Sequence, residues 1–142
     1  MVSFQTGIIR CCSLVLLAGL LLSGCGNNSD KQAIHALLDA RDLAVSNHDI
    51  GSYTLLLMPN YAYQGQSEFD VINRMIKLFE QFDAIDMQSS ERVIRFADDA
   101  HAECEQNYLL RVQADQQWRQ VFQRERILLT RTDSGWKISG GL

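Results

Sequence analysis

The chain has 142 residues, 46% of them hydrophobic, and carries 13 basic against 17 acidic side chains for a net charge of −4. That is one domain's length with enough apolar material for a real core. The acidic balance argues against nucleic acid or an anionic lipid surface as a partner.

The first segment, Met1–Arg10, holds one basic residue and runs into the almost wholly apolar Cys11–Leu22. A spanning helix needs about 20 apolar residues to cross ~30 Å of hydrocarbon, so this shorter run reads as the core of a signal peptide. It ends in Leu22-Ser23-Gly24-Cys25, which resembles the lipobox of bacterial lipoproteins. The resemblance implies signal-peptidase recognition of Leu22, Ser23 and Gly24, a diacylglycerol on the Cys25 sulfur, cleavage before Cys25 and acylation of the new amino terminus. Each acyl CH₂ buried in lipid contributes ~0.8 kcal/mol, and three chains exceed what stable anchoring requires. Gly26, in the place where an aspartate would signal inner-membrane retention, implies the outer membrane, facing the periplasm, if the envelope is Gram-negative. In other envelopes it implies the cell membrane.

Residues 1–24 are thus expected to be a signal peptide, 25–30 an acylated cysteine and tether, and 31–142 the folded domain. Loss of residues 1–24 would leave 118 residues with 12 basic and 17 acidic side chains. Cys11 and Cys12 would leave with the signal and Cys25 would be acylated, so Cys104 stands alone without a disulfide partner. No CxxC or Cys/His cluster survives, and neither a metal nor a cofactor is expected.

Ser29 or Asp30 can cap a helix from about Lys31 to Asn47, whose Ile34, Leu37, Leu38, Ala44 and Val45 share one face. A shorter helix, Ile50 to Met58, ends at Pro59-Asn60. Tyr61 to Gly65 reads as a brief extended segment. Ser67 and Asp70 form a capping-box-like start to a helix reaching about Phe82, with Phe69, Ile72, Met75, Ile76 and Phe79 as its apolar stripe. The period then changes, and Ile85–Phe96, Ala102–Val112, Trp118–Thr132 and Trp136–Ser139 read as strands joined by short turns. Short connections require antiparallel pairing. The fold class is α+β: N-terminal helices packed on an antiparallel sheet of about four strands.

The order of elements, with "ALLDARDLAVSNHDIGSY" (Ala36–Tyr53) and the closing "DSGWKIS" (Asp133–Ser139), resembles the nuclear transport factor 2-like superfamily and its SnoaL-like domains. The resemblance implies a cone, in which a curved sheet wraps over the helices and leaves a cavity at its open end. It also implies a range of activities from isomerase, dehydratase and hydrolase to non-enzymatic binding and assembly, so the fold does not name the function.

Chemistry in such a cavity needs a base or acid whose pKa burial has shifted. His35 and Asp39 lie away from the apolar face of the first helix and read as solvent-facing. His48-Asp49 sits at a helix junction, where capping suffices. His101 alternates with Glu103 and Glu105 on the expected outer strand face, opposite Arg124 and Arg126 in an ion-pair ladder. Cys104 reads as a small core residue.

Arg41 is different, since it falls in the middle of the apolar stripe, where a guanidinium must reach water or meet an acceptor. Glu125 is the economical partner if its strand turns it inward with Ile127 and Leu129. The opposite parity, with Arg124, Arg126 and Leu128 inward, is left open by alternation alone. Arg41, Gln106, Tyr108, Gln123 and Glu125, with Tyr61 or Tyr63 at the mouth, form the expected polar lining. The sequence reading favours a lipid-anchored, non-enzymatic module that binds an envelope protein or a small ligand. Its alternative is a cone-fold enzyme for a small hydrophobic or carboxylated metabolite. Leu109 and Phe122 on the outer sheet face are the expected seam of a homodimer.

Overall fold

The computed structural model describes residues 25–142; the expected signal segment with Leu22, Ser23 and Gly24, and the side chain of Cys25, lie outside the described residues. Apolar side chains at three- and four-residue spacing build α1 (Cys25–Ser46), where Ile34, Leu38, Ala44 and Val45 are buried with Arg41 among them. Each fully buried aliphatic side chain contributes roughly 1.5–3 kcal/mol. The helix begins six residues before the predicted Lys31, so Gly26–Asp30, expected as a tether, is helical and forms its first turns. Asp30 does not cap it. The Asp30 carboxylate accepts a hydrogen bond from Trp136 Nε1 at 3.1 Å and pairs with Arg131, fastening the start of α1 to the end of the sheet.

His48 adopts a left-handed φ of 55° at the turn, and its ring stacks on Phe79, 5.1 Å between centroids. Asp49 alone is the cap of α2 (Ile50–Leu56), accepting from the Ser52 backbone N at 2.9 Å. The predicted extended segment is a tight hairpin, β1 (Ala62–Tyr63) and β2 (Gln66–Ser67). Its two turn residues, Gln64 and Gly65, have φ of 49° and 79°, the left-handed pair that matches the twist of a hairpin. Ser67 then caps α3 (Glu68–Gln81) in a reciprocal capping box with Asp70, as the spacing predicts.

The sheet is an antiparallel meander, β3 (Ala84–Phe96), β4 (His101–Ala114), β5 (Gln117–Thr132) and β6 (Gly135–Gly140), in that spatial order. On β4 the side chains of Ala102, Cys104 and Gln106 face inward, directly opposite Leu129, Ile127 and Glu125 of β5. This register settles the strand parity: Glu125 points inward, while Arg124 and Arg126 point outward. Outside, Arg126 pairs with Glu103, Arg124 with Glu105 and Arg95 with Glu105 along diagonals of the ladder, and Arg95 also pairs with Glu103 directly across from it. Such exposed pairs are worth only tenths of a kcal/mol each.

One irregularity matters for the site. Ser90 pairs with Asn107 and Val93 with Glu105, so Glu91 and Arg92 together oppose the single residue Gln106. Glu91 takes the left-handed φ of 53° that this β-bulge requires. The extra residue resets the alternation of β3 and turns Arg92 toward the interior.

Candidate functional site

A polar line crosses the inner face between α1 and the sheet. Arg41 donates from both terminal nitrogens to the two oxygens of Glu125, at 2.6 and 3.0 Å, a fork-to-fork geometry. Both partners are secluded, with side-chain exposures of 7% and 12%. Fully buried Gln106 donates to Glu125 Oε1 at 2.6 Å and to Ser89 Oγ at 3.1 Å, and accepts from Arg92 Nε at 2.8 Å. Arg92 reaches on to Asp39 at 2.5 Å and to the His35 carbonyl at 3.2 Å. Asp42 accepts from the Ser89 backbone N at 2.8 Å and from its hydroxyl at 2.9 Å. Two guanidinium groups and two part-buried carboxylates are thereby tied into one hydrogen-bonded system.

Burial by itself would lower the pKa of Arg41, but the adjacent Glu125 charge and its hydrogen bonds reverse this and raise it. Desolvation raises Asp42, opposed by its Ser89 hydrogen bonds and by Arg41 and Arg92. Tyr53, buried on α2, is also raised by desolvation, with Arg41 pulling the other way. Cys104 is pushed up to about 11 by burial.

Beside this line opens a cavity of ≈ 510 Å³ between α1, α3 and the inner faces of β3 and β4. Its apolar wall is Val45, Met75, Leu78, Met87 and Leu110. Arg41 and Tyr108 supply polar surface from α1 and β4, and Asp70, Arg74, Lys77 and Gln81 line up along one face of α3. The volume falls within the roughly 300–1,000 Å³ of small-molecule sites.

Of the residues expected to line a cavity, Arg41 and Tyr108 do so. Glu125 stands behind Arg41 as its counter-ion, and Gln106 is sealed beneath. Gln123 is exposed and accepts the Tyr108 hydroxyl at 2.7 Å. Tyr61 and Tyr63 are elsewhere: Leu57 and Met58 pin the chain to Ile138, and the hairpin that follows carries both tyrosines to β6. There Tyr61 is buried, its hydroxyl accepting the Leu142 backbone N at 3.2 Å, and Tyr63 lies over Gly140. His35 is exposed, and Asp39 serves Arg92 instead of forming a dyad with it. His101 is exposed and bonded to Asp98 at 2.9 Å.

The cationic edge of α3 and the inward turn of Arg92 were not legible in the sequence. The former would have required knowing which face of α3 meets the cavity, and the latter the bulge at Glu91. Among the described residues no three His, Cys, Asp or Glu side chains converge as a metal-ligand set, and no helix is long and apolar enough to cross a membrane.

No protein-family model matches the sequence, and no curated protein matches it. Solved structures do. The Kfla4162 protein from Kribbella flavida superposes with a TM-score of 0.71 at 14% identity, covering 81% of this chain and 89% of that one. An NTF2-like family protein from Streptomyces avermitilis, described as a candidate dehydratase, gives 0.66 at 12% identity over 80% and 94%. A type 2 LinA hexachlorocyclohexane dehydrochlorinase gives 0.67 at 13% identity over 80% and 83%. At these identities the likeness establishes the fold, which is the nuclear transport factor 2-like cone of helices and a four-stranded antiparallel sheet.

Proposed function

We propose that the domain is a binding module whose cone holds a small, largely apolar molecule, and that Cys25 tethers it by acyl chains to the outer membrane, facing the periplasm, in a Gram-negative envelope, and to the cell membrane otherwise. The observation that carries the binding role is the ≈ 510 Å³ cavity with an apolar wall and a buried guanidinium at one side. Its carboxylates are already committed, which favours binding over turnover. Glu125 is held by Arg41 and Gln106, and Asp70 by the hydroxyl and backbone N of Ser67, which hold its pKa below the usual carboxylate range. A base so depressed is a poor proton acceptor near neutrality. The tether rests on the Leu22–Cys25 pattern and the apolar run before it.

The test is titration of the full chain with the neutral fluorescent probe N-phenyl-1-naphthylamine, in parallel with a Leu110→Trp variant that intrudes on the cavity's apolar wall. Saturable binding with one site, weakened by that substitution, is expected. Equal binding by both chains would refute a cavity site. For the tether, Cys25→Ala is expected to abolish incorporation of labelled palmitate; continued incorporation would overturn it.

The enzymatic reading draws on the dehydrochlorinase and dehydratase descriptions of the fold neighbours and on Tyr108 beside Arg41. It predicts that a bound ligand is returned chemically altered, which mass spectrometry of the released molecule decides. Self-association belongs to the outer sheet face, where Phe122 is 66% exposed and stands directly opposite Leu109. Phe122→Glu is expected to shift the chain toward monomer in sedimentation.

A further inference from the structure

In an acidic chain of net charge −4, the cavity is lined by three cations, Arg41, Arg74 and Lys77, and one acid, Asp70. Arg41 is neutralised from behind by Glu125. Arg74 lies one helical turn beyond Asp70, where its charge acts on that carboxylate, and it also donates to Gln66 Oε1 at 3.0 Å. Lys77 makes no ion pair or hydrogen bond with any side chain among the described residues, so the cavity and its backing carry one positive charge in excess. Residues 70, 74, 77 and 81 recur at three- and four-residue spacing and so form a single polar edge along α3. Opposite that edge lie Val45, Met87 and Leu110, with Met75 and Leu78 between. The site thus has two chemically distinct sides, and Arg41, itself 5% exposed, retains a buried Nε–H with no acceptor.

We infer that the ligand is an amphipathic monocarboxylate: its apolar body lies on Val45, Met75, Leu78, Met87 and Leu110, and its carboxylate meets Lys77, with Arg74 beside it. The charge count selects a single negative charge, since a dianion would leave one unmatched. The apolar wall selects an alkyl or aryl body over a sugar-like one, whose hydroxyls would lose water there without gaining partners. In a cavity with low-dielectric walls, one uncompensated ammonium also raises the local concentration of anions that the rest of this acidic surface repels.

The inference rests on the cavity being a binding site, and the test separates the two. Octanoate, octanol and octylammonium are titrated calorimetrically into the full chain, with Lys77→Met and Lys77→Glu in parallel so that any contribution from solubilising detergent cancels. Octanoate is expected to bind about tenfold more tightly than octanol, the scale of one charge-assisted hydrogen bond at a half-open site. Lys77→Met should erase that preference and leave octanol unchanged, and Lys77→Glu should turn it toward octylammonium. Octanol binding as tightly as octanoate to the unsubstituted chain would overturn the carboxylate assignment while leaving the binding role standing. A preference that survives Lys77→Glu would overturn it equally. If none of the three binds, both the assignment and the binding role fail.

Discussion

Removing Glu125 should unfold far more of the molecule's stability than one carboxylate suggests. In Glu125→Ala the guanidinium of buried Arg41 loses the acceptors at 2.6 and 3.0 Å, while its Nε already has none. An uncompensated buried charge of this kind costs about 3–5 kcal/mol, against a total of roughly 5–15 kcal/mol for a domain of this size. Arg41→Met should cost a similar amount by stranding the Glu125 carboxylate with Gln106 as its remaining donor. The double variant Arg41→Met/Glu125→Leu leaves neither charge and should cost less than either single one, a coupling of about 2 kcal/mol or more. Urea unfolding at pH 7, followed by the fluorescence of buried Trp136, measures all three. A loss below about 1 kcal/mol in Glu125→Ala, or singles that simply add in the double, would refute the claim that this pair is a sealed unit.

Gly141 has φ +89°, and a Cβ there would lie 2.0 Å from the Arg126 carbonyl oxygen, so Gly141→Ala should cost about 2 kcal/mol or more by urea unfolding. Gly65→Ala, at φ +79° with open space around it, should cost about half as much. Cys104, its thiol pushed up to about 11, should escape iodoacetamide at pH 8 in the native chain and react only as fast as the domain unfolds; equal labelling of native and urea-treated chain would contradict that. Asp49 and Asp70, through Ser52 and Ser67, and Asp98, through the Ala100 backbone N, have depressed pKa values. Their stabilisation is present above the unfolded carboxylate value of about 4 and is lost as pH falls through the folded values. Asp42, raised by burial, runs the other way, contributing below its unfolded value and losing that contribution as pH rises through the folded one. Asp42→Asn should therefore steepen the acid loss measured by urea midpoints between pH 5 and 2, and a shallower profile would contradict the sign.

Arg41 was readable from the sequence because it breaks a pattern, a charge in a helix's apolar stripe. Glu125 followed only on the condition that its strand turned inward with Ile127 and Leu129, a parity that the register with β4 decides. The capping box at Ser67 and the four strands were equally local, set by side-chain chemistry within a few residues. Arg92 was not legible because a single left-handed residue, Glu91, decides which way it points, and nothing in the alternation of β3 marks that residue. Tyr61 and Tyr63 were assigned to the mouth because their direction depends on the anchoring of Leu57 and Met58 to β6, a contact some 80 residues away in sequence. Asp30 looked like a cap by position, yet its partners are Trp136 and Arg131 at the far end of the chain. Arg74 and Lys77 resemble any solvated helix charges until α3 is placed against the cavity.

The clasp of Asp30 on Trp136 and Arg131 gives the domain a defined mechanical entry point. With Cys25 anchored as proposed, tension entering there would have five residues of helix, about 7.5 Å, to travel before it met that clasp. From there it passes into the two sequence-terminal strands, β5 and β6, loading the first and last parts of the fold together. The domain would then resist pulling as a closed loop, with the cavity-forming α3 standing outside the line of force.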